Sequence, residues 1–277
     1  MSLFQDKELS VLAIEGVDRF KLLQGLITQD VAPLEAKQKK VIYTAMLSPQ
    51  GRYLFDFFVL SHEDTLFVVG YNVLQLYTKL LTYQLRLDVQ LNMIEAWKVY
   101  GDLNSDALLA DSLSFQDPRL DGLCHWYITP HDLPTTVDKE AYILRCYNLG
   151  VPNTYDLTQD KSIILEWNFE ELNGISFKKG CYMGQELMSR TKHVGKIRKR
   201  IFSLVLDAEV DPKRIIGEDV MFDDETIGNV LSFLKNKGLA MIRVEKLNNI
   251  NNKNNLPVAV LGIKGIIKFS GCTRNEG

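Results

Sequence analysis

The chain has 277 residues and a mass of 31.6 kDa, about twice a typical single domain, so two or three domains are expected. With 46% hydrophobic and 24% charged residues its composition is ordinary for a globular protein, which excludes collagen-like, coiled-coil and wholly disordered chains. A formal net charge of −3 and a pI near 5.9 exclude nucleic-acid binding through overall charge and leave room only for a local basic patch.

In chain order, Val11–Ile14 reads as a strand, followed by Gly16 and a helix opened by Asp18 with Phe20, Leu23, Leu26 and Ile27 on one face. Val41–Leu47 and Arg52–Leu60 read as strands joined by a turn at Ser48-Pro49-Gln50-Gly51, and Thr65–Val69 as a third. Asn72 starts a helix with an apolar stripe of Val73, Leu76, Tyr77, Leu80 and Leu81. Val89–Tyr100 is strand-like. A short helix at 105–111, a strand over Cys124–Thr129 and a helix from Asp138 to Asn148 follow. This mixture of hairpins and helices points to α+β architecture. From Ile201 onward the texture changes to short strands broken by Gly and Asp, as in a small barrel or sandwich, so a boundary is expected near residue 200. Asn248–Asn255, with six Asn in eight residues, reads as a solvated loop.

Four cysteines, at 124, 146, 181 and 272, form no CxxC or Cys/His cluster, and His62, His125, His131 and His193 have no mutual metal spacing. No metal ligand set is therefore expected. Unpaired thiols suit a reducing compartment. No apolar run approaches the roughly 18 residues of a membrane span, and MSLFQDKELS has no signal-peptide pattern. A cytoplasmic location is the expectation.

The most informative stretch is Asn173 to Arg200. Ile175–Phe177 reads as a short strand, and Lys178-Lys179-Gly180-Cys181-Tyr182-Met183-Gly184 as a turn with glycines on both sides of a thiol. Two readings stand for Cys181. Either it is a buried cysteine at a tight turn, or it is a reactive thiol favoured by the two lysines and by a helix N-terminus downstream. The segment GISFKKGCYMGQE resembles the K-G-C-Y-x-G-Q-E signature of the YgfZ family, folate-binding iron–sulfur cluster maturation factors related in fold to the glycine cleavage T-protein, an aminomethyltransferase. Leu187–Arg200 is most similar to the mitochondrial and alphaproteobacterial branch. The likeness extends to Gly16–Phe20, Leu22–Val31, Ala45–Asp56, Asp117-Pro118-Arg119 and Gly150-Val151-Pro152.

The resemblance implies a T-protein-like cloverleaf of three subdomains around a central channel holding tetrahydrofolate. Residues 1–200 would form two intertwined α+β subdomains and 201–277 a C-terminal β-barrel. It makes Cys181 the residue on which function depends, and Lys179, Gly180, Tyr182, Gly184, Gln185 and Glu186 carry over with it. Arg190 follows at i+4 from Glu186 and is placed to pair with it.

A second candidate comes from the strand at 52–60. Both faces of that strand are apolar apart from Asp56, and a buried carboxylate needs a partner. Arg52 or a backbone cap is one expected partner; exposure to the channel as a catalytic carboxylate is the other reading. In the T-protein a glutamate before the glycine matching Gly150 grips the pterin. Asn148 stands there, and its amide accepts through a single oxygen. Tyr142 matches a position where an aromatic lies against folate. Residues 190–200 hold six Lys/Arg and no acid, which reads as a solvated face or as an anion site for a folate polyglutamate tail or RNA.

Three functions follow in order. The first is a factor for assembly or repair of 4Fe–4S proteins acting through Cys181, with folate and iron–sulfur client or assembly proteins as partners. The second is a tetrahydrofolate-dependent aminomethyltransferase, a one-carbon enzyme using Asp56. The third is a folate-dependent role in tRNA modification.

Overall fold

The computed structural model describes residues 2–104, 109, 111–247 and 255–269. The helix expected at 105–111 and the Asn248–Asn255 loop lie largely outside the described residues, as does Cys272. The chain divides into two compact units: 1–139 with 159–161 and 172–188, and 140–158 with 162–171 and 189–277. The boundary expected near residue 200 coincides with the start of a barrel inside the second unit, which also takes two earlier stretches.

The first unit runs β1 (Leu3–Asp6), β2 (Ser10–Glu15), α1 (Arg19–Gln24), α2 (Ala32–Glu35), β3 (Val41–Leu47), β4 (Tyr53–His62), β5 (Thr65–Gly70), α3 (Val73–Gln84), β6 (Gln90–Met93), β7 (Lys98–Asp102), β8 (Leu113–Gln116) and β9 (His125–Thr129). Five antiparallel strands form one sheet in the order β3-β4-β5-β2-β6, and four form another in the order β1-β7-β9-β8. On one face of the larger sheet, Leu12, Ile14, Phe55, Phe57, Val59, Leu66 and Val68 pack with Leu22, Leu23, Leu34, Val73, Leu76 and Leu80 from the three helices. Each such buried side chain contributes ~1.5–3 kcal/mol.

The opposite face of β4 follows from the two-residue alternation of strand side chains. Phe58 meets Phe115 of the smaller sheet with ring centroids 5.3 Å apart, and Trp126 at 6.1 Å. Asp56 shares this face.

Three expectations are corrected here. Val89–Tyr100 is not one strand: β6 and β7 belong to different sheets, and the chain turns between them at 94–97. Ile175–Phe177 is not a strand, because its backbone bonds to the segment after α1 rather than to a sheet. Leu81, assigned to the apolar stripe of α3, is exposed, whereas Val73, Leu76 and Leu80 are buried.

The second unit takes α4 (Lys139–Leu149) from Glu140 onward and the end of α5 (Gln185–His193), then β10 (Lys199–Leu206), α6 (Pro212–Ile215), β11 (Asp219–Phe222), β12 (Glu225–Leu234), β13 (Lys237–Arg243), β14 (Asn255–Val260) and β15 (Ile263–Lys268). The six strands close into a barrel in the order β10-β13-β12-β11-β14-β15, with β15 pairing back onto β10. Leu204, Val220, Ile227, Val230, Ala240, Ile242, Val260 and Ile267 fill its core. Closure removes the unpaired edges that an open sheet of this length would expose. The fold is α+β with a closed C-terminal barrel.

Candidate functional site

The motif loop is built against the segment that follows α1. Thr28 donates its hydroxyl to the Gly174 carbonyl at 2.6 Å, and the Ser176 amide donates to the Thr28 carbonyl at 3.0 Å. Gln29 Nε2 donates to the Asn173 carbonyl at 2.7 Å, and the Met183 amide to the Gly25 carbonyl at 3.0 Å.

Between these ties Lys179 turns inward. Its ammonium donates to the carbonyls of Gln24, Ile27 and Gln29 at 2.8, 2.7 and 3.0 Å, so its three donors are all matched. Burial pulls its pKa from 10.5 to about 8, opposed by the charge of Asp30. The Tyr182 ring lies 5.0 Å from the ammonium, a cation–π contact. Tyr182 is itself buried, with a hydroxyl that has no hydrogen-bond partner and a pKa raised by desolvation.

Gly184 closes the loop at φ +80°, where a Cβ would lie 2.5 Å from the Ser48 carbonyl oxygen. Gly51, at φ +76°, would place a Cβ 2.9 Å from the Gly184 carbonyl oxygen. The β3–β4 turn and the motif loop therefore pack backbone to backbone, and only glycine fits at either position.

Cys181 sits within this frame as a free, exposed thiol. A side chain at Gly180 would meet nothing within 4 Å, so the chain is open beside the sulfur. Of the two lysines expected to influence the thiol, Lys179 instead anchors the loop. α5 begins at Gln185, after Gly184 has turned the chain. Gln185 is half-buried while Glu186 and Arg190 are exposed, and among the described residues no ion pair joins those two.

Asp56 belongs to a different constellation of the same unit. It is buried, and its partner is not Arg52, whose guanidinium donates to the Lys161 carbonyl at 3.0 Å. Tyr43 donates to Asp56 Oδ2 at 2.8 Å and Tyr53 to Oδ1 at 2.6 Å. Burial and the Asp56 charge hold the Tyr43 pKa well above its usual value, so the hydroxyl remains a donor. The Arg119 guanidinium lies 5.2 Å from both the Tyr43 and Phe58 rings and is gripped by Asp117 through two hydrogen bonds of 3.0 and 2.6 Å. Trp126 Nε1 donates to the same Asp117 at 3.0 Å. This is a buried, mutually satisfied polar cluster inside an aromatic layer.

Tyr142 and Asn148 lie on α4 within the second unit. Tyr142 is buried in that unit, and the Asn148 oxygen accepts from Lys268 Nζ at 2.8 Å. Burial and the charge of Lys237 lower the Lys268 pKa. Of the groups assigned to folate, the Asn148 oxygen accepts from Lys268 and the three Lys179 donors are held by main-chain carbonyls. In the basic run, Lys192 pairs with Glu170 at 2.8 Å and the buried Arg200 pairs with Glu171. Sequence reasoning missed the roles of Tyr43 and Lys268, which meet their partners only through tertiary structure, and of Tyr53, three residues before Asp56 on the same strand.

A family model described as "CAF17, C-terminal beta-barrel domain" matches residues 198–264, the first five strands of the barrel. Over 279 residues the chain is 29% identical to a protein of Pyricularia oryzae named "Iron-sulfur cluster assembly factor IBA57 homolog, mitochondrial", covering 86% of this chain and 71% of that one. The protein of the same name from Dictyostelium discoideum is 30% identical, with 78% and 65% covered. That from Mycosarcoma maydis is 32% identical, with 70% and 54% covered. These mitochondrial names overturn the expectation of a cytoplasmic protein. Among solved structures, the glycine cleavage system aminomethyltransferase T from Bartonella henselae superposes with a TM-score of 0.69 over 97% of this chain and 84% of that one, at 13% identity. The architecture is therefore that of the T-protein, completed by a CAF17-type barrel.

Proposed function

We propose that the chain assists the assembly of iron–sulfur proteins, with the Cys181 thiolate serving as a transient ligand to the iron of a cluster in transit. The observation that carries this reading is the placement of Cys181, exposed on a loop fixed by seven hydrogen bonds and two packed glycines. The names of its relatives supply the process. Among the described residues no three His, Cys, Asp or Glu side chains gather as a ligand set, and a 4Fe–4S cluster takes four thiolates. One thiol therefore acts together with ligands from the assembly or client protein, and the cluster is cargo. By this reading the chain works in mitochondria or beside a comparable assembly system.

Aminomethyl transfer is not favoured, because the Asp56 oxygens both receive tyrosine hydroxyls. RNA binding is not favoured either, because two of the basic side chains are paired with acids. Tetrahydrofolate has no step in the reading.

The test is complementation of cells lacking the chain, read as the activity of a 4Fe–4S enzyme. Cys181→Ser is expected to abolish rescue while changing unfolding free energy by less than about 0.5 kcal/mol, as for other exposed sites. Full rescue by the serine variant would refute the proposal.

A further inference from the structure

Away from the motif loop, the first unit carries a cavity of about 400 Å³ lined by Leu34, Leu60 and Leu113 and by polar groups of two kinds. Lys37, Lys39, Lys40 and His62 supply positive or protonatable groups, and Ser61, Ser112 and Ser114 supply hydroxyls. Leu34 and Leu60 are buried, so the floor is apolar, while the three lysines are exposed at the rim. The turn that displays them is fixed by its backbone: the amides of Gln38 and Lys39 both donate to the Pro33 carbonyl, at 2.9 and 3.0 Å, and Lys37 takes φ +55°. Downstream, the Ser61 amide donates to the Lys40 carbonyl at 2.8 Å, tying that turn to the end of β4. None of the three lysines forms an ion pair with an acid among the described residues. Among the described residues Glu63 is the one carboxylate in the lining, and it lies 4.0 Å from His62.

Three like charges gathered at a cavity repel one another, and a bound anion relieves that repulsion. The volume falls in the range of small-molecule sites, where an apolar lining with a few converging polar groups is the usual construction. We infer that this cavity is a binding site for a small organic oxyanion, its charged head on Lys37, Lys39 and Lys40 and its apolar body against Leu34 and Leu60. The site shares no residue with the motif loop, so it stands apart from the proposed role of Cys181.

The head could be a phosphate or a carboxylate, and titration calorimetry with two probes separates them: inorganic pyrophosphate and glutarate. The full chain should bind at least one of them, with the stronger probe naming the head. A Lys37→Ala/Lys39→Ala/Lys40→Ala variant, altered only at exposed positions, should weaken that binding at least tenfold. A control variant in the basic run, Lys196→Ala/Arg198→Ala/Lys199→Ala, should leave it within twofold. Failure of both probes to bind, or equal weakening by the two variants, would overturn the inference. Neither result bears on Cys181.

Discussion

Two of the places where the first unit buries charge serve opposite ends. In the motif loop one ammonium is enclosed by three carbonyls, and the neighbouring thiol is left in solvent. In the aromatic layer around β4 the polar atoms of Asp56, Tyr43, Asp117 and Arg119 find one another and nothing faces outward. The first arrangement holds an unsatisfied group in place; the second holds the two sheets together. A buried titratable group is therefore a poor guide to chemistry until its partners are counted, and here the group available to act is the exposed one.

The contrast breaks most severely in the aromatic layer. Asp117→Ala strips the buried Arg119 of its carboxylate and should destabilise the protein by about 3–5 kcal/mol, measured by urea unfolding. A loss below 1 kcal/mol would mean that the cluster does not hold the sheets. Lys179→Met leaves three carbonyls without their donor and should cost about 3 kcal/mol, and it should also change the rate at which Cys181 is alkylated. This variant carries a pH signature. The folded pKa, about 8, lies below the ordinary 10.5, so between those values the unfolded chain binds more protons and the wild type gains stability as pH rises. The gap between wild type and variant should widen from pH 8 to 10.5; a narrowing gap would contradict the burial of the ammonium. Gly184→Ala forces a side chain into the left-handed region against the Ser48 carbonyl and should cost about 1–3 kcal/mol, read as a lowered unfolding temperature.

Much of the fold was legible because apolar alternation and turn chemistry are local. β3 matches its expected limits residue for residue, and the Ser48–Gly51 turn, α3 and α4 lie where the pattern placed them. The four-residue β1 gave too short a period to register, and the break between β6 and β7 was hidden by an apolar run that serves two sheets in turn. At the site, the turn around Cys181 could be read from its glycines. The direction of Lys179 could not, since a lysine in a glycine-rich turn reads as solvated. One partner of Asp56 was equally hidden: Tyr43 comes from the adjacent strand, where Ala45 stands opposite Asp56.

The acceptors that hold Lys179 are main-chain oxygens, which every amino acid possesses. Gln24, Ile27 and Gln29 could therefore drift to other residues without loosening this clamp, provided the path of the chain survives. Lys179 has no such latitude, because no shorter or uncharged side chain brings three protons to the same spot. The clamp itself thus constrains only the lysine, and on the receiving segment the limits come from other ties, the Thr28 hydroxyl, the Gln29 amide and the buried Ile27 side chain.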